Sequence, residues 1–279
     1  MKVETTGPTT ILKHAFIWLF CIITLIPVLF TVLTSLKLFK DIISGSLIFT
    51  PTFENYAELF VARRSNFLRL TINSILVSIG STVIVLFIAS LASYSLSRFP
   101  WKKWWKGLVM GWFLFINMMP PIIFVGPFYV ISRQLNIYDS PLAVIMGHIV
   151  LFLPLGIWIM FDFFADVPKE LEESAYVDGA TRIQTFFQIV LPTTKPGMAA
   201  TAMLVFVFSF KEFLFALSLT STPAGMTIPV GIASFVQEYN IRYGEMSAAA
   251  FFASIPALVL LIVAQKQIVK GMTLGALKG

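Results

Sequence analysis

Lys211 and Glu212 stand out first, because they sit where charge is most expensive. The run 196–220 reads Pro-Gly-Met-Ala-Ala-Thr-Ala-Met-Leu-Val-Phe-Val-Phe-Ser-Phe-Lys-Glu-Phe-Leu-Phe-Ala-Leu-Ser-Leu-Thr, and it carries no other charge. A charge near the centre of a bilayer costs about 2.5–3.5 kcal/mol on insertion scales, so such residues face a bundle interior or water. An ammonium and a carboxylate at that depth can hydrogen-bond a polar solute, or they can make a structural ion pair with a neighbouring chain or snorkel. The other groups able to do chemistry are few. His14 and His148 lie at or within apolar stretches, far apart in the sequence, and each reads more readily as hydrogen-bonded structure than as a ligand. Cys21 is the only cysteine, so one chain can build neither a disulfide framework nor a cysteine metal site. No Gly-x-x-x-x-Gly-Lys-[Ser/Thr] loop is present to cradle phosphates, and neither His-Glu-x-x-His nor Gly-x-Ser-x-Gly occurs. The expectation is no catalytic constellation, no metal site and no enzyme activity in this chain.

The elements that must position these residues follow from hydropathy. The chain is 57% hydrophobic and only 12% charged, against about 25% charged residues in an ordinary soluble domain. The charges are clustered, leaving charge-free windows at 14–36, 70–97, 107–132, 140–161 and 246–265. Each is long enough to cross a hydrocarbon core about 30 Å thick, which takes about 20 residues of helix. The run 196–220 is a sixth span with the two charges inside it. The alternative window 213–237 avoids both charges but contains Ser-Thr-Pro-Ala-Gly-Met-Thr-Ile-Pro, which reads as a loop. The first window is too long for a signal-peptide core and has no small-residue cleavage site after it, so a retained helix is expected. The fold class is therefore all-α, a polytopic membrane protein of six transmembrane helices. Lys and Arg concentrate on the side of both termini, most densely as Arg98, Lys102, Lys103 and Lys106, with Trp101, Trp104 and Trp105 as headgroup anchors. That bias puts both termini in the cytoplasm. The net charge of +6 is this flanking excess and does not point to nucleic acid. Pro120, Pro121, Gly126, Pro127, Pro154 and Pro256 interrupt the third, fourth and sixth windows and mark hinge, pathway or merely kinked positions.

The segment 166–192 carries the most local information. At about 27 residues it is long for a connection between helices of a compact bundle. Pro168 suits the first position of a helix, and Glu170, Glu172 and Glu173 fall in its first turns, where the helix dipole favours negative charge. Gly179 can supply the left-handed turn that ends this helix. Thr181-Arg-Ile-Gln184 has capping-box spacing and can start the next, which Pro192 and Pro196 close. Two short helices around a glycine elbow should lie at the cytoplasmic membrane surface. Such a pair serves as well for a docking lever as for a tidy re-entry loop.

The run Glu173-Ser174-Ala175, then Asp178-Gly179-Ala180, then Ile189-x-Leu191-Pro192 resembles the "EAA" loop of binding-protein-dependent ABC importers. Ser174 departs from the usual alanine but is still small. Ser-Phe-Lys-Glu-Phe-Leu-Phe-Ala-Leu at 209–217 is similar to a segment of maltose-type sugar permeases, where the position of Lys211 is typically Asn. The final Gly-Met-Thr-Leu-Gly-Ala-Leu-Lys-Gly is similar to the tail of that family's shorter, second permease subunit. The likeness spans roughly 70–279, and more loosely the whole chain.

The resemblance implies a type I ABC importer permease fold and a subunit that forms half of a sugar pathway. It implies three regions: an N-terminal helix and periplasmic loop (1–68), a transmembrane core (69–267) and a cytoplasmic tail (268–279) that reaches the ATPase or is simply a disordered end. Glu173, Ser174, Ala175, Asp178, Gly179 and Ala180 would dock in a cleft of a cytoplasmic ATPase, and Ile189, Leu191 and Pro192 would tie that element to the fifth span. Lys211 and Glu212 would line the pathway, or pair with the sister subunit. The implied partners are a sister permease, an ATPase dimer, a periplasmic or extracellular solute-binding protein and the lipid of the cytoplasmic membrane. ATP and Mg would sit on the ATPase, and no cofactor is expected in this chain. A permease for a non-sugar solute is the alternative. An ion-coupled carrier is disfavoured because Glu212 is the only carboxylate well inside a span. A membrane scaffold without transport is argued against by the loop.

Overall fold

In hydrocarbon, a single segment satisfies all its backbone N–H and C=O groups only as a helix. The computed structural model of the protein describes residues 8–61, 65–236 and 241–276, and every regular element among them is helical. The only strand-like pairing there is an isolated bridge between Val236 and Ile241. The chain forms two compact units, one of Met1–Leu68 with Ile232–Ser254 and the other of Arg69–Gly231 with Ile255–Gly279.

In the first unit, α1 (Pro8–Ser35) is followed by the short helices α2 (Phe39–Ile43) and α3 (Glu54–Phe60). The body of α1 is apolar all round and exposed, with Phe16, Trp18, Ile26 and Phe30 all open, as expected of a helix bathed in lipid. Its carbonyl end is closed by Asn55, whose Nδ2 donates to Ser35 O at 2.8 Å and to Lys37 O at 2.9 Å. Orphan C-terminal carbonyls are thereby satisfied away from water. Phe60, Phe67 and Phe252 meet edge to face, with ring centroids 4.9–5.7 Å apart.

The second unit contains most of α4 (Phe67–Arg98), α5 (Lys103–Met118), α6 (Ile122–Gln134) and α7 (Pro141–Ala165). The surface loop follows as α8 (Lys169–Val177), α9 (Arg182–Thr185), a π-turn over Phe186–Val190 and α10 (Leu191–Thr193). Then come α11 (Lys195–Phe210), α12 (Leu214–Leu219) and α13 (Ile228–Ala233). The last helix, α14 (Tyr243–Ala276), has its first part in the first unit and the rest in the second. The unbroken α7 is the spine of this unit, with α5, α11 and α12 packed on it. Small polar residues bring α4 close to it: Ser78, Ser81, Ser90 and Ser93 are buried, and Ser93 Oγ donates to Ile157 O at 2.9 Å. Such residues suit helix packing in lipid, where hydrophobicity gives no driving force.

Two of the expected spans are not single helices. The window 107–132 breaks at Pro120 and Pro121, and α5 and α6 meet at 94°. Met119, ahead of the first proline, is extended (φ −73°, ψ 136°) because proline excludes its predecessor from the helical region. The run 196–220 also breaks. α11 ends at Phe210, Lys211 to Phe213 form the gap, and α12 resumes at Leu214. Among the described residues four helices are long and apolar enough to cross alone, and the number reaches six if the bent pairs α5–α6 and Arg182–Thr193 with α11 each count as one span. Pro127, Pro154 and Pro256, by contrast, lie inside continuous helices. The helix α14 runs on to Ala276, past the expected end of the sixth span at 265. The last three residues of the tail lie outside the described residues.

Candidate functional site: a surface loop and a cavity at two helix breaks

The loop 166–192 folds as its caps dictate. Pro168 is the N-cap of α8, so the helix begins at Lys169, one position later than expected. Asp178 closes α8, and Gly179 follows at φ +83°, a left-handed conformation that costs a side-chain-bearing residue about 1 kcal/mol or more. Thr181 then forms the expected capping box. Its N–H donates to Gln184 Oε1 at 2.8 Å, and Gln184 N donates to Thr181 Oγ1 at 3.3 Å. Pro192 lies within α10 rather than ending it, and the break before α11 falls at Thr194.

The two faces of this loop differ. Ala175, Phe186 and Val190 are buried, the last two in a cluster with Tyr94, Met160 and Phe164. Leu191 packs against that cluster too. Glu172 turns inward with them and is 5% exposed. Arg98 Nε donates to Glu172 Oε1, Tyr94 OH donates to Glu172 Oε2 at 3.0 Å, and Arg98 Nη2 donates to Val167 O at 2.6 Å. The end of α4 is thus bolted to the first turn of α8 by a buried, charge-assisted network. From the sequence, Glu172 is expected only to favour the helix dipole. The signal available was a glutamate at helical spacing from Ala175, on the inner side of a helix whose outer side is charged. On the outer face Glu173, Ser174, Asp178 and Gly179 are exposed, beside the open side chains of Val177 (87%) and Ile183 (71%). No atom stands within 4 Å of where a Gly179 Cβ would be.

The second feature lies at the two breaks. α5 and α11 are each 16 residues long, or about 24 Å. Both begin beside the C-terminal end of α7: Lys106 Nζ lies 4.5 Å from the Phe161 ring, and Gly197 abuts Phe163. Both break beside one cavity of about 380 Å³, lined by Asn117, Phe124, Phe152, Phe208, Lys211 and Glu212 among others. A mostly apolar, aromatic lining with few polar groups is the usual make-up of a small-molecule site.

The paired charges do different things there. The Glu212 side chain is 11% exposed. It accepts from Phe215 N at 2.9 and 3.1 Å and from Ala216 N at 3.3 Å, which closes the start of α12. It also meets His148 Nε2 at 3.0 Å, while His148 Nδ1 lies 2.7 Å from Ser209 Oγ. His148 is fully buried, so one expected structural histidine is the anchor of this carboxylate. Gly147, next to it, lets the Phe215 ring lie directly on α7, where a Cβ would meet Phe215 Cε1 at 2.9 Å and Cδ1 closer still. Lys211 is exposed and caps the carbonyl end of α11, with Nζ 4.7 Å from the Phe208 ring. The helix end contributes about 0.3–1 kcal/mol and the ring face about 0.5–1 kcal/mol, less than the roughly 2.5–3.5 kcal/mol that a cation costs in a span.

A family model described as "Binding-protein-dependent transport system inner membrane component" matches residues 85–274. The chain belongs to that family. It is a permease component of a transport system and a multi-pass inner-membrane protein. It is 38% identical over 260 residues to the trehalose transport system permease protein SugB of Mycobacterium tuberculosis (strain CDC 1551 / Oshkosh), covering 91% of this chain and 93% of that one. It is 34% identical to the trehalose/maltose transport system permease protein MalG of Thermococcus litoralis, covering 94% of each. The fold matches a chain of a bacterial ABC transporter that imports the acidic polysaccharide alginate, with TM-score 0.77, 18% identity and coverage of 95% of this chain and 98% of that one.

Proposed function

We propose that the chain is a permease subunit of an ATP-driven, binding-protein-dependent sugar importer. It forms half of the translocation pathway with a sister permease and receives solute from a periplasmic or extracellular binding protein. The observation that carries this reading is its end-to-end likeness to SugB, a trehalose permease. ATP and Mg belong to a separate ATPase dimer, this chain holds no cofactor and performs no hydrolysis, and nucleic acid is not a partner. Both termini are cytoplasmic, which puts the loop 166–192 on the ATPase side.

In this reading Glu173, Ser174, Asp178, Gly179 and Ala180 present the docking element, Ala175 packs beneath them on the inner face instead of meeting the partner directly, and Ile189, Leu191 and Pro192 join it to α11. Support comes from the split between the two faces of the loop. Its inner face is locked to α4 and the core, whereas its tip offers bare glycine backbone and the exposed apolar side chains of Val177 and Ile183. Such a surface suits a cleft in a partner. A carrier driven by ions would need a carboxylate free to take up and release its ion. Glu212 is instead held by His148 and two backbone N–H groups.

The test is uptake of labelled sugars by vesicles containing the whole transporter, with and without ATP, for the native chain and for Gly179→Pro. Proline cannot adopt φ +83°. ATP-dependent uptake that Gly179→Pro abolishes supports the reading. Uptake that ignores ATP and follows an ion gradient refutes it.

A further inference from the structure

The cavity at the two helix breaks presents its charges unequally. Glu212 lines it, but both of its oxygens are engaged by His148, Phe215 N and Ala216 N. Lys211 lines the same cavity, and among the described residues no carboxylate lies within ion-pair distance of its ammonium. Asn117 is the other polar side chain lining this space, and its amide nitrogen turns back to Phe113 O at 3.3 Å. The Asn117 side-chain oxygen is left to accept a hydroxyl, and the one charge without a counter-charge in the lining is the Lys211 cation. It is set among Phe124, Phe152 and Phe208, whose ring faces can lie against the C–H face of a pyranose.

We infer that this cavity binds an acid-bearing sugar, with the Lys211 ammonium paired to the sugar's carboxylate or other anionic substituent. The inference rests on the sugar-permease reading above and deepens it. Glu212 then acts as a positioning residue. It ties the start of α12 to α7 and so fixes the gap 211–213 from which Lys211 reaches the cavity. A site of this polarity also explains why a lysine is tolerated between two spanning pieces. An anionic ligand supplies the counter-charge that the chain withholds, and charge-assisted hydrogen bonds are about twice as strong as neutral ones.

The test compares three forms of the intact transporter, each with the same binding protein: native, Lys211→Asn and Lys211→Arg. Two labelled probes are supplied, maltose and a disaccharide of the same size carrying a terminal uronic acid. Removing a charge from a span eases insertion, and ATPase activity with assembly of the complex checks each variant. The native complex should take up the acid sugar in preference to maltose. Lys211→Asn should lower that preference at least about tenfold, and Lys211→Arg should keep most of it. A native complex that carries maltose but not the acid sugar overturns the inference and leaves the permease reading standing. So does a Lys211→Asn complex that loses both rates together or fails to assemble, which would assign Lys211 to pairing with the sister subunit. Absence of ATP-dependent uptake of any sugar by the native complex refutes the permease reading itself.

Discussion

Glu172→Gln tests whether the loop is held by the buried network at the end of α4. The substitution keeps the shape of the side chain and an acceptor oxygen but removes the charge. Arg98 keeps its bond to Val167 O but loses its carboxylate, and both side chains of that pair are only 7% exposed. Breaking one partner of a buried pair costs about 3–5 kcal/mol. The remaining amide acceptor and the position of Arg98 at a helix end argue for the lower figure, about 3 kcal/mol. A local change of that size raises the open population of α8 roughly a hundredfold. Amide hydrogen exchange of 169–177 in the purified transporter reads it directly. ATP hydrolysis should continue while sugar moved per ATP falls, because a loosened loop no longer delivers its displacement to α4 and α11. Replacing both charges, as Arg98→Met with Glu172→Met, should recover most of the protection, since no uncompensated charge is left. Exchange over α8 that is unchanged in Glu172→Gln would refute the reasoning, as would a double variant worse than the single one.

Tyr94→Phe removes one hydrogen bond to Glu172 Oε2 and should cost about 1 kcal/mol, giving a smaller rise in exchange over the same segment. Gly147→Ala drives a methyl group into the Phe215 ring, itself fully buried. Overpacking of about 1–3 kcal/mol should lower the thermal midpoint of the purified complex, and an unchanged midpoint would contradict the packing of α12 on α7. Partial burial pushes the Asp139 carboxyl up, but bonds from the Thr222 hydroxyl and from the Ser221 and Thr222 N–H groups outweigh it and hold the carboxyl below its ordinary value. A depressed carboxylate stabilises the fold above its unfolded pKa of about 3.9, and that contribution is lost as pH falls through the folded value. The stability gap between native and Asp139→Asn chains should therefore be constant from neutral pH to about pH 5 and close progressively below about pH 4. A gap that persists at lower pH would show that Asp139 acts by shape alone.

What could be read without coordinates was whatever depends on neighbours in the chain. The apolar windows, the glycine elbow at 179 and the Thr181–Gln184 capping box are local, and each stands in the structure as its residue types require. What escaped depends on residues far apart in sequence. Glu172 meets Arg98 and Tyr94 across more than seventy positions, and His148 meets Glu212 across 64. Helical spacing from Ala175 marks which glutamate turns inward, but no local pattern names the partners it meets there. The breaks were half legible. The pair Pro120–Pro121 announces one, but Lys211 and Glu212 read as charges within a span rather than as its interruption, because the carboxylate that closes α12 does so through backbone N–H groups that no pattern of side chains reveals.

A single element joins the loop to the cavity. α11 leaves the loop at Thr194, turns by 74° from the preceding helical segment, and ends at Lys211 on the rim of the cavity. Nothing but the 16 residues of one helix separates the loop proposed to meet an ATPase from the residue proposed to meet a solute. A helix is stiff along its axis, so movement of the loop by a few ångströms reaches the cavity undiminished, provided that the far end can give. The gap 211–213 is where the helical ladder is open: α12 is fixed to α7 through Glu212, His148 and Phe215, and α11, which also packs on α7 and meets His148 through Ser209, must slide along α7 to move against it. On this view the interruption of the fifth span is what converts a pull at the membrane surface into a change of shape around Lys211. Closing the gap by making 209–216 helical throughout would weld the two pieces together. Such a chain should bind sugar and support ATP hydrolysis with transport lost, and transport at the native rate would show that the hinge lies elsewhere.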